Sequence, residues 1–191
     1  MATEKLNRNK IIEKATELFT RQGYHNTSME DVARACHIKK ASLYHHIPSR
    51  KALVIEVIDR VVCIFKANYF NLAYDEQYSI RNRLLMILDK IEDFYIQTNG
   101  HCLVSFLMLE TAREMPEVIP IAKDYFNAWV DAIAYLLHKH YGATKSKQLA
   151  QDAVSHLYGS IILGNLFGDG DSKVLKLASE RILNLLPQDL P

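Results

Sequence analysis

Apolar residues recur at helical spacing along the whole chain, and this pattern restricts the fold more than any other feature. The first apolar stripe consists of Ile11, Ile12, Ala15, Leu18 and Phe19. An amphipathic helix buries a stripe of this kind. No segment alternates with period two for long enough to predict a strand. The seven Gly and five Pro residues fall mostly between the periodic segments, so the sequence predicts an all-α protein.

Capping and helix-breaking residues in the sequence predict where the helices begin and end. The first ends at Gly23, a short one runs from a Thr27–Glu30 capping box to about residue 36, and a second short one covers about residues 39–46. Ser49 is the expected cap of a long helix from Arg50 to about residue 71. Further helices are expected at about 79–98, 102–114, 117–141, 145–167 and 172–186.

Length and composition exclude several classes of protein. A chain of 191 residues with 49% hydrophobic and 24% charged residues is an ordinary globular protein of one domain or two small ones. No apolar run approaches the roughly 18 residues that cross a bilayer, and residues 1–10 lack a signal-peptide core, so we expect a cytoplasmic protein without membrane contact. Three distant cysteines without a Cys-x-x-Cys motif indicate reduced thiols.

Charge is distributed unevenly along the chain. Residues 1–51 contain ten Lys and Arg against five acidic residues, and the remaining chain is mildly acidic. A basic head on an acidic body is expected when only the head meets a polyanion. By itself this signal is weak, because surface charge often varies this much.

The head has the layout of a helix-turn-helix. Two short helices are separated by a turn of about three residues and preceded by an amphipathic helix. In such a layout the second short helix enters the major groove of DNA. With Leu43 and Ile47 facing inward against Val32 and Ile38, the helix turns its polar positions outward: Lys39, Lys40, Ser42, Tyr44, His45 and His46.

Four cations occupy unfavourable positions at helix starts. Lys39 and Lys40 begin one helix, and Arg50 and Lys51 begin the next. Cations in a first helical turn cost about 0.3–1 kcal/mol each, because the helix N-terminus is itself positive. A phosphate bound at both N-termini relieves this cost, whereas four solvated surface cations are the alternative interpretation.

The same segment resembles a known family. Residues 23–33 (GYHNTSMEDVA) and 38–50 (IKKASLYHHIPSR), followed by Leu53, are similar in register to the DNA-binding head of TetR-family transcriptional regulators. The resemblance implies an N-terminal three-helix DNA-binding domain at residues 1–51 and a helical effector-binding and dimerisation domain at residues 52–191. It implies no cofactor and no metal.

The resemblance also implies which residues contact DNA. Thr27 and Ser28 would touch a phosphate, and Tyr44, His45 and Arg50 would bind the backbone. The groove would be read by Lys39, Lys40, Ala41 and Ser42. The sequence departs from the family pattern at His37, where a turn Gly is usual, at Lys39, where a small hydroxyl is usual, and at Lys51, where an acid is usual. Histidine tolerates a left-handed backbone less well than glycine, so His37 is expected to stiffen or strain the turn. The two added cations bear on the operator sequence more than on DNA binding itself.

The three cysteines receive different interpretations. Cys36 is expected to be a small buried residue of the turn, and Cys63, within an apolar run, is expected in the core. Cys102 opens a predicted helix beside His101, a setting that lowers a thiol pKa and raises its reactivity. A resembling subgroup has Gly-Cys-Leu here and includes electrophile sensors, so Cys102 is a candidate sensing thiol, with a packed structural cysteine as the alternative.

The body offers candidates for an effector pocket and a dimer interface. The pocket candidates are Phe94, Cys102, Phe106, Met108, Tyr125, Phe126, Trp129 and Tyr158, although aromatic residues at helical spacing are often plain core. An apolar effector of modest polarity is expected, and Glu110, Arg113 and His156 are candidates for a polar contact. The family resemblance places the two-fold partner on residues 145–186, whose apolar positions include Ala153, Leu157, Ile161, Leu175, Ala178, Ile182 and Leu185.

Enzyme signatures are missing from the sequence. It contains no Glu-x-x-His, no His-x-x-x-His and no clustered cysteines, and Gly168-Asp-Gly170 follows no predicted strand. We therefore predict a homodimeric, ligand-responsive transcriptional regulator, expected to be a repressor. It would bind a palindromic operator and be released by a small apolar or electrophilic effector. A helical adaptor or scaffold whose basic head meets an acidic protein is the alternative.

Overall fold

The computed structural model describes residues 8–97, 102–167 and 173–187, and within these ranges every regular element is a helix. The predicted all-α fold is confirmed, and no described helix is both long and apolar enough to cross a membrane. The elements are α1 (Arg8–Gln22), α2 (Met29–Ala35), α3 (Lys40–His46), α4 (Arg50–Asn68), a 3-10 helix (Phe70–Tyr74), α5 (Ile80–Gln97), α6 (Leu103–Thr111), α7 (Val118–Phe167) and α8 (Lys173–Leu183). Residues 1–7, 98–101, 168–172 and 188–191 lie outside the described residues, and so do the breaks predicted at 99–100 and 168–172.

The chain forms two compact units. Unit 1 combines Met1–Val62 with Leu103–Ala122, and unit 2 combines Cys63–Cys102 with Lys123–Pro191. Unit 1 thus includes α6, a helix distant in sequence from the basic head. The predicted boundary between the DNA-binding and effector-binding domains, after residue 51, does not coincide with the division into these two compact units. That boundary stays a prediction.

The core of unit 1 follows the predicted helical stripe. All five apolar residues of the α1 stripe are buried, and Leu43 and Ile47 are fully buried around α3. Gly23 ends α1 as predicted, with φ +76° and its amide donating to the Phe19 carbonyl at 3.0 Å. Glycine adopts this left-handed conformation without steric cost, and a side chain would not.

The capping box of α2 lies one residue later than predicted. Ser28, not Thr27, is the N-cap, and its hydroxyl accepts from the Asp31 amide while the Asp31 carboxylate accepts from the Ser28 amide. Thr27 is 1% exposed, and its hydroxyl donates to the Gly23 carbonyl at 2.7 Å. Burial of Thr27 under the α1–α2 turn therefore moves the cap to the next hydroxyl.

The core of unit 2 is aromatic. Phe65 lies edge-on to Phe94 and to Tyr125, with ring centroids 4.8 Å and 5.3 Å apart. Phe70 stacks on Trp129 at 6.0 Å. These rings come from α4, the 3-10 helix, α5 and α7, so one aromatic cluster ties four elements together.

Two breaks interrupt the helices of unit 2. α4 ends at Asn68 and not near residue 71, and Lys90 of α5 donates to the Asn68 carbonyl at 3.1 Å. Arg83 of α5 similarly binds the Ala73 carbonyl of the 3-10 helix at 2.9 Å. The predicted break before residue 145 is present inside α7 at Gly142, whose φ and ψ are 70° and 171°. This region of backbone space is accessible almost only to glycine.

Candidate nucleic-acid interface

The exposed face of α3 has the composition that the sequence predicts. Leu43 and Ile47 anchor the helix, each with 0% exposure. The outward positions are Lys39, Lys40, Ala41, Ser42, Tyr44 and His45, all exposed. The small residues Ala41 and Ser42 near the start of the helix leave its backbone accessible. Lys40 and Tyr44 lie one helical turn apart. This face is basic, polar and open.

The turn between α2 and α3 carries the strain that the sequence suggests. His37 has a positive φ of 56°, the conformation for which glycine is the usual choice. The Ile38 amide donates to the Ala33 carbonyl and the His37 amide to the Arg34 carbonyl, both at 3.0 Å. These two bonds form a Schellman motif. It closes α2 and fixes the direction in which α3 leaves.

Arg8 braces the far end of α3, a role that sequence reasoning missed. Its Nη1 donates to the His46 carbonyl at 3.0 Å, and its Nε donates to Glu56 Oε2 at 2.7 Å. A bidentate pair of this kind fixes geometry as well as charge. The first residue of α1 thus ties the C-terminus of α3 to α4. An exposed arginine before an apolar stripe carries no signal of such long-range pairing.

Arg50 is held against the turn between α1 and α2. Its Cζ lies 3.7 Å from the centroid of the Tyr24 ring, and its Nη2 donates to the Tyr24 carbonyl. The Nε atom has no hydrogen-bond partner among the described residues. The side chain is half-buried. Arg50 is therefore fixed in one conformation, with guanidinium N–H groups left over for a further acceptor.

The cations at the starts of α3 and α4 have internal partners of different closeness. Lys51 Nζ pairs with Glu117 Oε1 at 2.6 Å, and this hydrogen bond lowers the pKa of Glu117. At α4, Ser49 also caps the helix as predicted, its hydroxyl accepting from the Ala52 amide at 3.0 Å. At α3, Lys40 Nζ lies 4.0 Å from Glu30 Oε2, and the N-cap Lys39 makes no side-chain capping hydrogen bond. Anion binding at both N-termini stays a prediction, and at α4 an anion would compete with these partners.

The two hydroxyls predicted to touch phosphate have different positions. Ser28 is exposed at the start of α2, although its hydroxyl also donates to Asp31 at 2.6 Å. Thr27 is buried, with its hydroxyl and its amide both bonded inside the turn. Direct contact between the Thr27 side chain and a phosphate does not fit this arrangement, since the hydroxyl would have to leave the core.

The predicted effector-pocket residues fall into different units. Phe106 and Met108 are in unit 1. The other six are in unit 2: Phe94, Cys102, Tyr125, Phe126, Trp129 and Tyr158. Tyr125 and Trp129 are almost fully buried among other rings, as core residues are. Phe126 and Tyr158 border a cleft of about 400 Å³, together with Val130, Gln151, Val154 and Ser155.

Two of the candidates for a polar contact have other positions in the structure. Glu110 accepts a hydrogen bond from the Tyr24 amide at 2.7 Å within unit 1. His156 is exposed on α7, its Nδ1 2.9 Å from the Asp152 carbonyl oxygen. Neither borders the cleft described above.

Cys102 and Cys63 have different environments, and that of Cys63 differs from the prediction. Cys102 is 6% exposed and adjoins two buried phenols. Burial raises the pKa of Tyr95 and of Tyr125 well above the ordinary tyrosine range. Cys63 is exposed, not in the core as predicted, because Val62 and Phe65 take the inward positions of that turn. His101 lies outside the described residues.

The predicted dimer positions pack inside the single chain. Six of them are at most 5% exposed: Ala153, Leu157, Ile161, Leu175, Ala178 and Ile182. The exposed apolar side chains at the end of α7 are instead Ile162, Leu163, Leu166 and Phe167, which we call the α7 patch. Leu166 and Phe167 are 73% and 72% exposed.

Comparison with known proteins identifies the head. Residues 11–57, from α1 into the first turns of α4, match the family model of bacterial regulatory proteins of the tetR family. The head therefore has the sequence of a TetR-family DNA-binding domain. The predicted resemblance of this segment to TetR-family regulators is thereby confirmed.

Curated relatives match the N-terminal half of this chain. The regulator IcaR of Staphylococcus aureus (strain Newman), described as a negative transcriptional regulator of the biofilm operon icaADBC, is 31% identical over 96 residues. The match covers 47% of this chain and 50% of IcaR, so the chain spans about half the length of that relative. The regulator YuxN of Bacillus subtilis is 39% identical over 49 residues, 26% of this chain and 17% of YuxN.

Solved structures share the fold over nearly the whole chain. A TetR transcriptional regulator from Legionella pneumophila has a TM-score of 0.84 at 23% identity, covering 97% of this chain and 100% of that one. The reduced form of Escherichia coli NemR has a TM-score of 0.80 at 14% identity, covering 95% and 97%. At these identities the likeness establishes the TetR fold alone.

Proposed function

We propose that this TetR-family protein is a repressor that binds a palindromic DNA operator as a homodimer and is released by a small effector. The observation that carries the proposal is the exposed face of α3, which is basic and polar while Leu43 and Ile47 fix the helix in the core. A recognition helix needs this combination, because it must be rigid and also reach base edges. IcaR is described as a negative transcriptional regulator, which supports repression and not activation as the proposed effect on transcription.

The contacts with DNA divide into base readout and backbone binding. Lys39, Lys40, Ala41 and Ser42 form the start of α3 and are proposed to read the major groove. Tyr44, His45, Ser28, Arg50 and Lys51 are proposed to bind phosphates, which fix register and carry no sequence information. Lys51 does so at the expense of its ion pair with Glu117. The buried Thr27 supports the α1–α2 turn instead.

The α7 patch supports the homodimer. Four large apolar side chains within six residues are exposed there, and Leu177 of α8 is 50% exposed. Contiguous exposed apolar surface marks interaction sites in proteins that otherwise cover such groups. A second copy of the chain would bury the patch and place two heads on successive half-sites of an operator.

The aromatic unit 2 supports an apolar effector. The indole N–H of Trp129 is buried without a hydrogen-bond partner among the described residues. An unmade hydrogen bond in an apolar interior costs about 1–3 kcal/mol, which a ligand with an acceptor group would recover. The proposed pocket is formed by the unit 2 candidates around this ring. Cys102, next to two buried phenols, is the proposed sensing thiol.

The decisive experiment measures binding to DNA. A fluorescently labelled duplex from upstream of the protein's own gene is titrated with the protein, and anisotropy is compared with a scrambled duplex. We expect preference for the upstream duplex, and Lys40→Ala should reduce it. Lys139→Ala, which removes a cation on the exposed surface of α7, is the matched control and should not change it. Absence of binding to any duplex would reject the proposal in favour of the adaptor alternative.

A further inference from the structure

The backbone of Tyr24, in the head of unit 1, is held on both sides of its Cα. The Tyr24 N–H donates to Oε2 of Glu110 in α6 at 2.7 Å. The carbonyl of the same residue, in the next peptide group, accepts from Nη2 of Arg50 in α4. A carboxylate and a guanidinium therefore fix the two peptide groups that flank one residue. Tyr24 is 8% exposed, and Glu110 and Arg50 are half-buried.

The carboxylate of Glu110 fits closely against the turn. A Cβ atom added to Gly23 would lie 2.9 Å from Glu110 Oε1 and 3.3 Å from Phe106 Cε1. Real Cβ atoms essentially never come within 3.0 Å of another heavy atom, so a side chain at residue 23 would force the Glu110 carboxylate to shift. The same glycine has φ +76°. The α1–α2 turn is thus shaped to receive the acidic side chain of α6.

Geometry explains why an acceptor suits position 110. Arg50 is the first residue of α4, where the helix N-terminus disfavours a cation, so its guanidinium depends on other contacts for its position. The Glu110 side chain fixes the Tyr24 N–H and thereby orients the residue whose carbonyl and ring contact Arg50. Replacing the carboxylate by a methyl group would leave the Tyr24 N–H unpaired and weaken the hold on Arg50.

We propose that Glu110 is a positioning residue for the DNA-binding surface, acting on Arg50 by holding the backbone of Tyr24 in place. The inference rests on the proposed function, because it requires Arg50 to bind phosphate. It adds a residue that lies far outside the 11–57 family segment. The DNA-binding surface thereby depends on α6 as well as on the helix-turn-helix.

The test compares substitutions of Glu110 in the full chain, using the upstream duplex at several salt concentrations. We expect Glu110→Ala to lower affinity about tenfold, although removing a negative charge by itself favours DNA binding. The slope of log K against log salt should fall by about one unit, because one phosphate contact is lost. Glu110→Gln keeps an oxygen acceptor for the Tyr24 N–H and should remain within about twofold of wild type.

Glu114→Gln is the matched control. Glu114 is exposed beyond the end of α6, so its substitution removes a charge from unit 1 without touching the turn. If Glu110→Ala behaves like Glu114→Gln, the inference is wrong. It is equally wrong if affinity falls with an unchanged salt slope, since Arg50 is then undisturbed.

Folding is checked by circular dichroism, and Glu110→Asp replaces the alanine variant if that variant unfolds. Asp keeps the charge but is one methylene too short, so it should show the same loss of affinity and slope. Wild-type behaviour of Glu110→Asp would overturn the inference. Failure of the wild-type protein to bind any duplex would instead reject the proposed function.

Discussion

The guanidinium of Arg50 stacks on the ring of Tyr24, with Cζ 3.7 Å from the ring centroid. The first residue of α4 thereby fixes the turn between α1 and α2. Such a cation–π contact contributes about 0.5–1 kcal/mol at a partly exposed site. The contact orients a side chain that, in the proposed function, binds a phosphate.

Arg50 variants should separate charge from geometry. We expect Arg50→Ala to weaken binding to every duplex alike and to lower the salt slope by about one unit, since a phosphate contact carries no sequence information. Arg50→Lys keeps the charge but lacks the planar guanidinium, so it should retain most of the slope with reduced affinity. Anisotropy at four salt concentrations measures both. An unchanged slope in Arg50→Ala would remove Arg50 from the phosphate contacts.

His37→Gly should stabilise the protein. A non-glycine residue in the left-handed region costs about 1–2 kcal/mol, and His37 has φ 56°. Relief of that cost, less the extra chain entropy of glycine, predicts a gain of about 0.5–1 kcal/mol in the free energy of unfolding. His37→Val should be destabilising. Urea unfolding of both variants tests this, and a less stable glycine variant would show that the turn is not strained.

The Ser28–Asp31 capping box should make stability pH-dependent. The side-chain and backbone hydrogen bonds from Ser28 lower the pKa of Asp31 below its ordinary value of 3.8. A lowered carboxyl pKa stabilises the fold above about pH 4, and this contribution is lost as the pH falls through the lowered value. Ser28→Ala should cost about 1 kcal/mol at pH 7.

The pH dependence is measured by urea unfolding at pH 5 and pH 3. Ser28→Ala should lose less stability between these two values than wild type does. Glu30→Gln is the control, because Glu30 is exposed and outside the capping box, and it should behave like wild type. An unaltered pH dependence in Ser28→Ala would contradict the role assigned to the hydroxyl.

The thiol proposal predicts different reactivities for two cysteines. Cys63 is exposed and Cys102 is buried, so N-ethylmaleimide should modify Cys63 first and Cys102 slowly. Operator affinity should fall only as the slowly reacting Cys102 is modified. Mass spectrometry measures the modification of each cysteine over time. Cys102→Ser should resist this loss and Cys63→Ser should not. Equal loss in wild type and Cys102→Ser would reject Cys102 as a sensor.

The dimer proposal predicts the effect of a charge in the α7 patch. Leu166→Glu should shift the protein to monomers in sedimentation velocity and weaken operator binding, because burying an unpaired carboxylate is costly. Leu109→Glu is the control, since Leu109 of α6 is 72% exposed and outside the patch. A dimeric Leu166→Glu variant would place the interface elsewhere.

Much of the fold could be predicted from local signals. The α1 stripe, the stop at Gly23, the Ser49 cap and the break before residue 145 each depend on neighbouring residues, and the structure contains them all. The positive φ at His37 was also expected, from the departure of one turn residue from the family pattern. Local chemistry suffices for such features because the atoms concerned are within a few residues of each other.

The remaining features depended on contacts between distant residues. Thr27 and Ser28 are equivalent as caps by sequence, and only burial of Thr27 decided between them. Glu110 carried no signal of its contact with Tyr24, which lies 86 residues away. A hydrogen bond across such a separation leaves no periodic trace in a single sequence.

The amino-acid sequence by itself determined the helices, their caps and the basic recognition face, because periodicity and capping are short-range properties of the chain. Only the tertiary structure decided which charges are neutralised within the protein and which face outward. Among the described residues, Lys51 and Arg50 have internal partners, whereas Lys39 makes no capping hydrogen bond and the side chains of the α7 patch are exposed. That outcome depends on which helices pack side by side, and packing is a property of the whole folded chain.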